Sequence, residues 1–313
     1  MPDLAPAVET ILTRSLAVAP GDEVLIIVDP ETLRIGQALR DGARVLGAEV
    51  ALAAMDQRAS HGAEPPRPIA AAMAACDVFI APTTKSLSHT QARSRATAAG
   101  ARGATMPGVT AEMLERVMAG DYERMVQRSR TVSALLDSAA QARVTCPRGT
   151  DVTLELSGRA GLADDGVLRE PGAFGNLPAG EGYIAPVSGT GTIVASSLAG
   201  LGVSEDPAHL TMEDGQLVAA ERGGGPELLA ELRAHGELGT NLAELGVGTN
   251  ESAMLTGNVL EDEKILGSVH LAFGASAGIG GTVSVPIHLD VVVIDASLEI
   301  DGRPVLDAGR YLL

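Results

Sequence analysis

Apolar residues near the amino terminus, Leu4, Val8, Ile11, Leu12 and Leu16, recur at the i, i+3, i+4 spacing that keeps one helix face apolar. Pro20-Gly21 breaks that rhythm, and Val24 to Val28 comes next as an apolar run of strand length. Thr32 to Leu46 returns to helical spacing and is stopped by Gly47, after which Glu49 to Ala54 reads as a second short strand. This order predicts a βαβ unit with parallel strands and a right-handed crossover. The alternation continues with an alanine-rich helix at Pro68 to Ala75, a buried strand at Cys76 to Ala81 and a helix at Ser88 to Ala99 closed by Gly100. Thr110 to Leu136 reads as one or two helices with a break near Gly120. An open parallel α/β sheet is the expected result.

From Ala142 the texture changes. Ala142 to Cys146, the turn Pro147-Arg148-Gly149-Thr150 and Val152 to Leu156 form a hairpin pattern, and Gly and Val dominate most of the remaining chain. Gly189-Thr190-Gly191 has the composition of a tight turn. Only Pro226 to His235 and Thr240 to Leu245 read as helical. The end alternates again: Ile287 to Ile294, Ser297 to Ile300, the turn Asp301-Gly302, then Pro304 to Leu306. The expected architecture is an α/β domain at 1–141 and a β-rich domain at 142–313.

Composition narrows the function classes. The chain of 313 residues carries 40 Asp and Glu against 23 Lys and Arg, a formal charge of −17, and its only lysines are Lys85 and Lys264. Counterion release from nucleic acid, or attraction to an anionic membrane, needs basic patches that this balance does not supply. With no Trp, three Tyr and three Phe, platforms for stacking bases are also scarce. Cys76 and Cys146 are too few for a disulfide scaffold and lack zinc-finger spacing. Met1-Pro2-Asp3-Leu4 does not open a signal peptide and no window approaches the ~18 apolar residues of a membrane span, so a cytoplasmic protein is expected.

Two familiar motifs fail on context. The turn after the first strand, Asp29-Pro30-Glu31-Thr32, is acidic where a dinucleotide would need bare backbone amides. Gly274-Ala275-Ser276-Ala277-Gly278 fits G-x-S-x-G, yet poor helix formers come after it, and the one downstream histidine, His288, precedes rather than follows Asp290. A different set is better placed. His288 and Asp290 are two apart in an apolar strand and so project from one face, while His270 lies in another apolar strand, Gly267 to Phe273. Such groups are costly to bury unless they are hydrogen-bonded or hold a cation. Glu181 and Glu244 are lone carboxylates in apolar, glycine-rich passages. Three carboxylates and two imidazoles exceed one open site and suit two divalent ions bridged by a carboxylate. His61, His209 and His235 have polar surroundings and read as surface residues, and His89 as a group near a helix start.

Asn176-Leu177-Pro178-Ala179-Gly180-Glu181, Glu244-Leu245-Gly246-Val247-Gly248-Thr249-Asn250, Asp262 to His270 and Ile287-His288-Leu289-Asp290 resemble the metal-binding blocks of the aminopeptidase T family of two-metal peptidases. Ser86 to Arg93 and Ala99 to Arg102 resemble its amino-domain blocks. The resemblance implies an α/β amino domain, a β-rich metal-binding domain, a homodimer, and removal of amino-terminal residues from small peptides or aminoacyl substrates. It also implies that Glu181, Glu244, His270, His288 and Asp290 hold two divalent ions, Zn, Co or Mn. Glu244 then becomes a bridging ligand or general base. The family's tyrosine after the histidine is missing between Leu271 and Gly281, which leaves Tyr183 as its stand-in. A second reading starts from His270, His288 and Asp290 as a 2-His-1-carboxylate set for non-haem Fe(II). It points to the 2,5-dihydroxypyridine ring-cleaving dioxygenases, which are similar in fold, and a third reading is a repurposed metal-binding relative.

Overall fold

A computed structural model describes residues 2–313. The chain forms two compact units, one holding the chain up to Tyr122 with Gly166–Ala179, the other Glu123–Asp165 with Gly180–Leu313. The expected break at residue 142 differs from this in two places. Most of one helix joins the second unit, and Gly166–Ala179 returns to the first.

In the first unit β1 (Glu23–Val28), β2 (Glu49–Ala54), β3 (Val78–Thr83), β4 (Arg102–Pro107) and the returning β8 (Phe174–Asn176) form a sheet in the order β2-β1-β3-β4-β8. Every pairing in it is parallel, as the βαβ pattern requires. β3 is buried at all six positions and β1 at five of its six, the continuous burial of parallel strands covered on both faces. The helices are α1 (Ala5–Glu9), extended by a π-helical turn at Thr10–Ser15, α2 (Leu33–Val45), α3 (Arg67–Met73), α4 (Gln91–Ala98) and α5 (Ala111–Val117). Thr90 caps α4 by accepting from the Arg93 amide, and Thr110 caps α5 by accepting from Met113.

The second unit takes α6 (Tyr122–Asp137) from Glu123 onward, together with α7 (Gly225–Arg233) and α8 (Val259–Asp262). Its strands are β5 (Gln141–Thr145), β6 (Asp151–Glu155), β7 (Leu162–Asp164), β9 (Glu181–Ile184), β10 (Ser188–Leu198), β11 (Gly202–Glu213), β12 (Gln216–Glu221), β13 (Leu242–Gly248), β14 (Val269–Gly274), β15 (His288–Val293), β16 (Ser297–Ile300), β17 (Arg303–Asp307) and β18 (Arg310–Tyr311). They form one antiparallel sheet in the order β18-β17-β16-β5-β6-β10-β15-β14-β13-β9-β7, with β11 and β12 attached through β10. Val132 and Leu136 of α6 and the leucines of α7 pack with one face of this sheet in a single apolar core.

Two local expectations are corrected. Thr240 to Leu245 is not helical: a short 3-10 turn ends at Thr240 and β13 begins at Leu242. All seven residues of β13 are buried, so no polar position marks its period, and Leu, Ala and Glu are good helix formers. Gly189-Thr190-Gly191 lies inside β10 rather than in a turn. Its glycines permit close strand approach, because a Cβ on Gly191 would stand 2.2 Å from the Asp151 carbonyl oxygen.

Candidate metal centre

Residues directly opposite in an antiparallel ladder share a face. Asp164 of β7 faces Glu181 of β9, Tyr183 faces Gly246 of β13, and Gly246 in turn faces His270 of β14. Glu244 is opposite Ala272, Ala272 is opposite Asp290 of β15, and Gly274 is opposite His288. Asp164, Glu181, Tyr183, Glu244, His270, His288 and Asp290 therefore project from one face of five neighbouring strands. The alternate residues Ile184, Leu245, Val247, Val269, Leu271, Phe273, Val291 and Val293 all belong to the core on the other face. The period of two thus sorts chemistry from packing.

Small residues make room on the chemical face. A Cβ on Gly246 would lie 2.0 Å from His270 Nε2, so the imidazole occupies the space left by the missing side chain. Ala272 and Gly274 fall between the polar positions in the same way.

The side chains converge in two compact groups that share Glu244. In one, Glu181, Glu244 and His270 each offer a donor atom within 4.8 Å of the others; in the other, Glu244, His288 and Asp290 do so. Glu244 turns one oxygen to each imidazole, Oε1 at 3.4 Å from His270 Nε2 and Oε2 at 3.3 Å from His288 Nε2. His288 Nε2 is 3.6 Å from Asp290 Oδ1, and His270 Nε2 is 3.1 Å from Glu181 Oε2. The groups differ in access. His288 and Asp290 keep 21% and 15% of their side-chain surface exposed, against 1% for His270. They also differ in support. His288 Nδ1 lies 2.8 Å from the Ala275 carbonyl, the outer hydrogen bond that orients a metal-binding imidazole, whereas His270 Nδ1 is buried without a partner.

Beside the inner group stands a residue not singled out from sequence. Lys264, 1% exposed, places its Nζ 2.6 Å from Glu181 Oε1, 2.8 Å from Glu263 Oε1 and 3.4 Å from Asp164 Oδ2. Burial opposes a charged lysine, yet Glu181 and Glu263 hold its pKa well above the ordinary value. Burial raises Glu263 to about 8 and Asp164 to about 7 despite the lysine. Burial would likewise raise Glu244, but hydrogen bonds and charge from His270 and His288 hold it below the usual carboxylate range. Both histidines are raised against the pull of burial, His270 chiefly by Glu181 and His288 chiefly by Asp290. Burial and then Glu244 push the Tyr183 phenol up, so it is a neutral hydrogen-bond donor. The carboxylate oxygen Glu181 Oε2 is buried, with the ion-pair contact to His270 Nε2 at 3.1 Å as its close polar neighbour. Two carboxylates and an imidazole whose donor atoms lie within 4.8 Å of one another, with His288 and Asp290 partly open, fit a divalent cation.

Residues 3–312 match the family described as NicX, 2,5-dihydroxypyridine 5,6-dioxygenase. The chain belongs to this family. No curated protein sequence gives a match. Among solved structures the chain is similar to 2,5-dihydroxypyridine dioxygenase from Pseudomonas putida KT2440, with a TM-score of 0.82 and 20% identity over 99% of this chain and 96% of that one. It is also similar to wild-type AmpT from Thermus thermophilus, with a TM-score of 0.72 and 19% identity over 99% of both chains. At such identity these two show the fold alone. Family membership goes to the dioxygenase, the second reading of the sequence, while the resemblance to aminopeptidase T persists in the fold.

All five expected ligand residues and Tyr183 lie on the one face. The expected 2-His-1-carboxylate set changes in composition: Glu244, rather than His270, forms the compact group with His288 and Asp290. Ser276 is a structural residue, its Oγ accepting from the Val283 amide. The NicX family and the cluster together support an enzyme that binds divalent metal.

Proposed function

We propose that the chain is a non-haem Fe(II) dioxygenase that opens a hydroxylated nitrogen-containing aromatic ring, with the metal held by Glu244, His288 and Asp290. The match to the NicX family over residues 3–312 carries this reading. Two carboxylates and one imidazole balance the charge of Fe(II), and the partial exposure of His288 and Asp290 leaves positions for substrate and oxygen. The ion would supply redox contact between oxygen and a ring made electron-rich by its hydroxyl groups. Glu244 is fixed between two imidazoles and orients His288 through Oε2. The Ala275 carbonyl holds that ring from behind. Tyr183, kept neutral, would donate a hydrogen bond to a substrate oxygen.

Oxygen uptake by iron-loaded protein with 2,5-dihydroxypyridine tests the proposal. Uptake of one O2 per ring opened, lost together with bound iron in His288→Ala, is the expected result. Iron-loaded protein that consumes no oxygen with any dihydroxypyridine or related hydroxylated azaarene would overturn it.

One observation favours a second reading. Glu244 belongs to both groups, and a shared carboxylate is the hallmark of a two-ion hydrolytic centre. Glu181, Glu244, His270, His288 and Asp290 would then hold two of Zn, Co or Mn, with Glu244 or Tyr183 assisting attack of water on an aminoacyl substrate. Release of amino acids from aminoacyl anilides by Zn-, Co- or Mn-loaded protein, without oxygen uptake, separates this reading from the first.

A further inference from the structure

The two groups sharing Glu244 are not equivalent, and the difference lies in Lys264. We propose that Lys264 is a positioning residue that binds Glu181 to the protein in place of a second metal ion, so that the centre takes a single divalent cation, at Glu244, His288 and Asp290. This rests on the proposed single-ion centre at that group and is incompatible with the two-ion hydrolytic reading.

The ammonium has three protons to donate, and three carboxylates stand around it: Glu181 at 2.6 Å, Glu263 at 2.8 Å and Asp164 at 3.4 Å. Its donors are therefore all engaged. Backbone contacts fix the cage from both sides. The Asn250 amide donates to the Lys264 carbonyl and the Gly180 amide to that of Asp164, while Asp164 is in register with Glu181 across β7 and β9. A divalent ion on Glu181 would share a single carboxylate with this ammonium, and like charges so close repel strongly in a buried setting.

Coordination argues the same way. The inner group offers one donor atom from each of three residues, and Glu181, His270 and Lys264 are almost wholly buried, which leaves little access for water to complete a coordination shell. The outer group is open at His288 and Asp290. Only His288 has the outer hydrogen bond, to Ala275, that a ligand imidazole ordinarily carries. Both oxygens of Glu181 are thus engaged, Oε1 by Lys264 at 2.6 Å and Oε2 by His270 Nε2 at 3.1 Å.

The test is a titration of full-length, chelator-treated protein with Mn2+, followed by calorimetry and by electron paramagnetic resonance. Wild type should bind one ion per chain, with the signal of an isolated Mn2+. Glu181→Gln should still bind one ion, with affinity within about threefold of wild type, because Glu181 is not a ligand to it. Lys264→Met should gain a second ion, spin-coupled to the first, and Lys264→Met with Glu181→Gln should return to one. Lys264→Arg, which keeps the charge, should stay at one. Two ions in wild type, or loss of the ion in Glu181→Gln, would overturn the proposal, as would a folded Lys264→Met that still binds only one. Should Lys264→Met fail to fold, wild type and Glu181→Gln decide alone. None of these readouts uses oxygen uptake or peptide hydrolysis, so a failure of the ring-opening assignment and a failure of the Lys264 assignment are read separately.

Discussion

At the scale of single residues, the signals for His270, His288 and Asp290 were open to view because each is polar in an otherwise apolar strand and the period of two fixes its face. Lys264 carried a weaker signal, being one of only two lysines, and its place was hidden because Asp164 and Glu181 reach it from far along the chain. The same cluster sets a pH dependence. His270 and His288 are raised above 6.5, and Asp164 and Glu263 are raised to about 7 and about 8. Each binds its proton more tightly folded than unfolded, so folding takes up protons and stability falls as pH rises. The loss begins above the ordinary carboxyl range for the two acids and above 6.5 for the histidines, and is complete once the raised values are passed. Glu181 and Glu244, held low, act oppositely, but only below about 4.5. Chelator-treated protein should therefore melt at a higher temperature at pH 6 than at pH 8.5. Added Mn2+ should narrow or reverse the difference, because the ion needs a deprotonated His288. A melting temperature that rises with pH in the absence of metal would contradict this account.

At the scale of elements, apolar runs bounded by turn residues were readable, and a buried strand built partly of good helix formers was not. β1, β2 and β3 announced themselves by apolar runs bounded by turn residues. β13 was hidden because burial on both faces removes the alternation, although it contributes Glu244 and the space at Gly246. Opposite faces of these strands should separate stability from metal binding. Leu271→Ala removes a fully buried core side chain, which costs ~2–5 kcal/mol, and should leave the metal count intact. Gly246→Ala puts a methyl group 2.0 Å from His270 Nε2 and forces the ring away from Glu244, with a smaller stability cost of ~1–3 kcal/mol. Its effect on metal affinity should be about tenfold weakening, the scale for losing an outer partner of a ligand. Denaturant unfolding and calorimetric titration of the pair check this. Equal effects of both variants on metal affinity would show that the two faces are not independent.

At the scale of the whole molecule, the α/β and β-rich halves were legible in the change of texture near Ala142, but the return of Gly166–Ala179 to the first sheet was not. β8 is three residues long, too short to carry a period, and owes its place to pairing with β4. The metal blocks were legible for a related reason that also limited them. Glu181, Glu244, His270, His288 and Asp290 come together on one sheet face, and a fold of this kind is shared with both a dioxygenase and AmpT. The clustered residues therefore point to a candidate centre without naming its reaction. They do specify where binding acts mechanically. The outer group takes its ligands from β13 and β15, with β14 between them, so an ion there cross-links strands on both sides of β14. At a free ion concentration a hundred times the Kd, binding stabilises the folded form by ~2.7 kcal/mol. Hydrogen exchange should locate that gain. On adding Mn2+, amides of Leu242–Gly248, Val269–Gly274 and His288–Val293 should slow most, while those of β1, β3 and β4 in the other sheet should change little, since no ligand comes from them. Slowing spread evenly over both sheets, or confined to β5, β6 and β16, would place the ion elsewhere than at Glu244, His288 and Asp290.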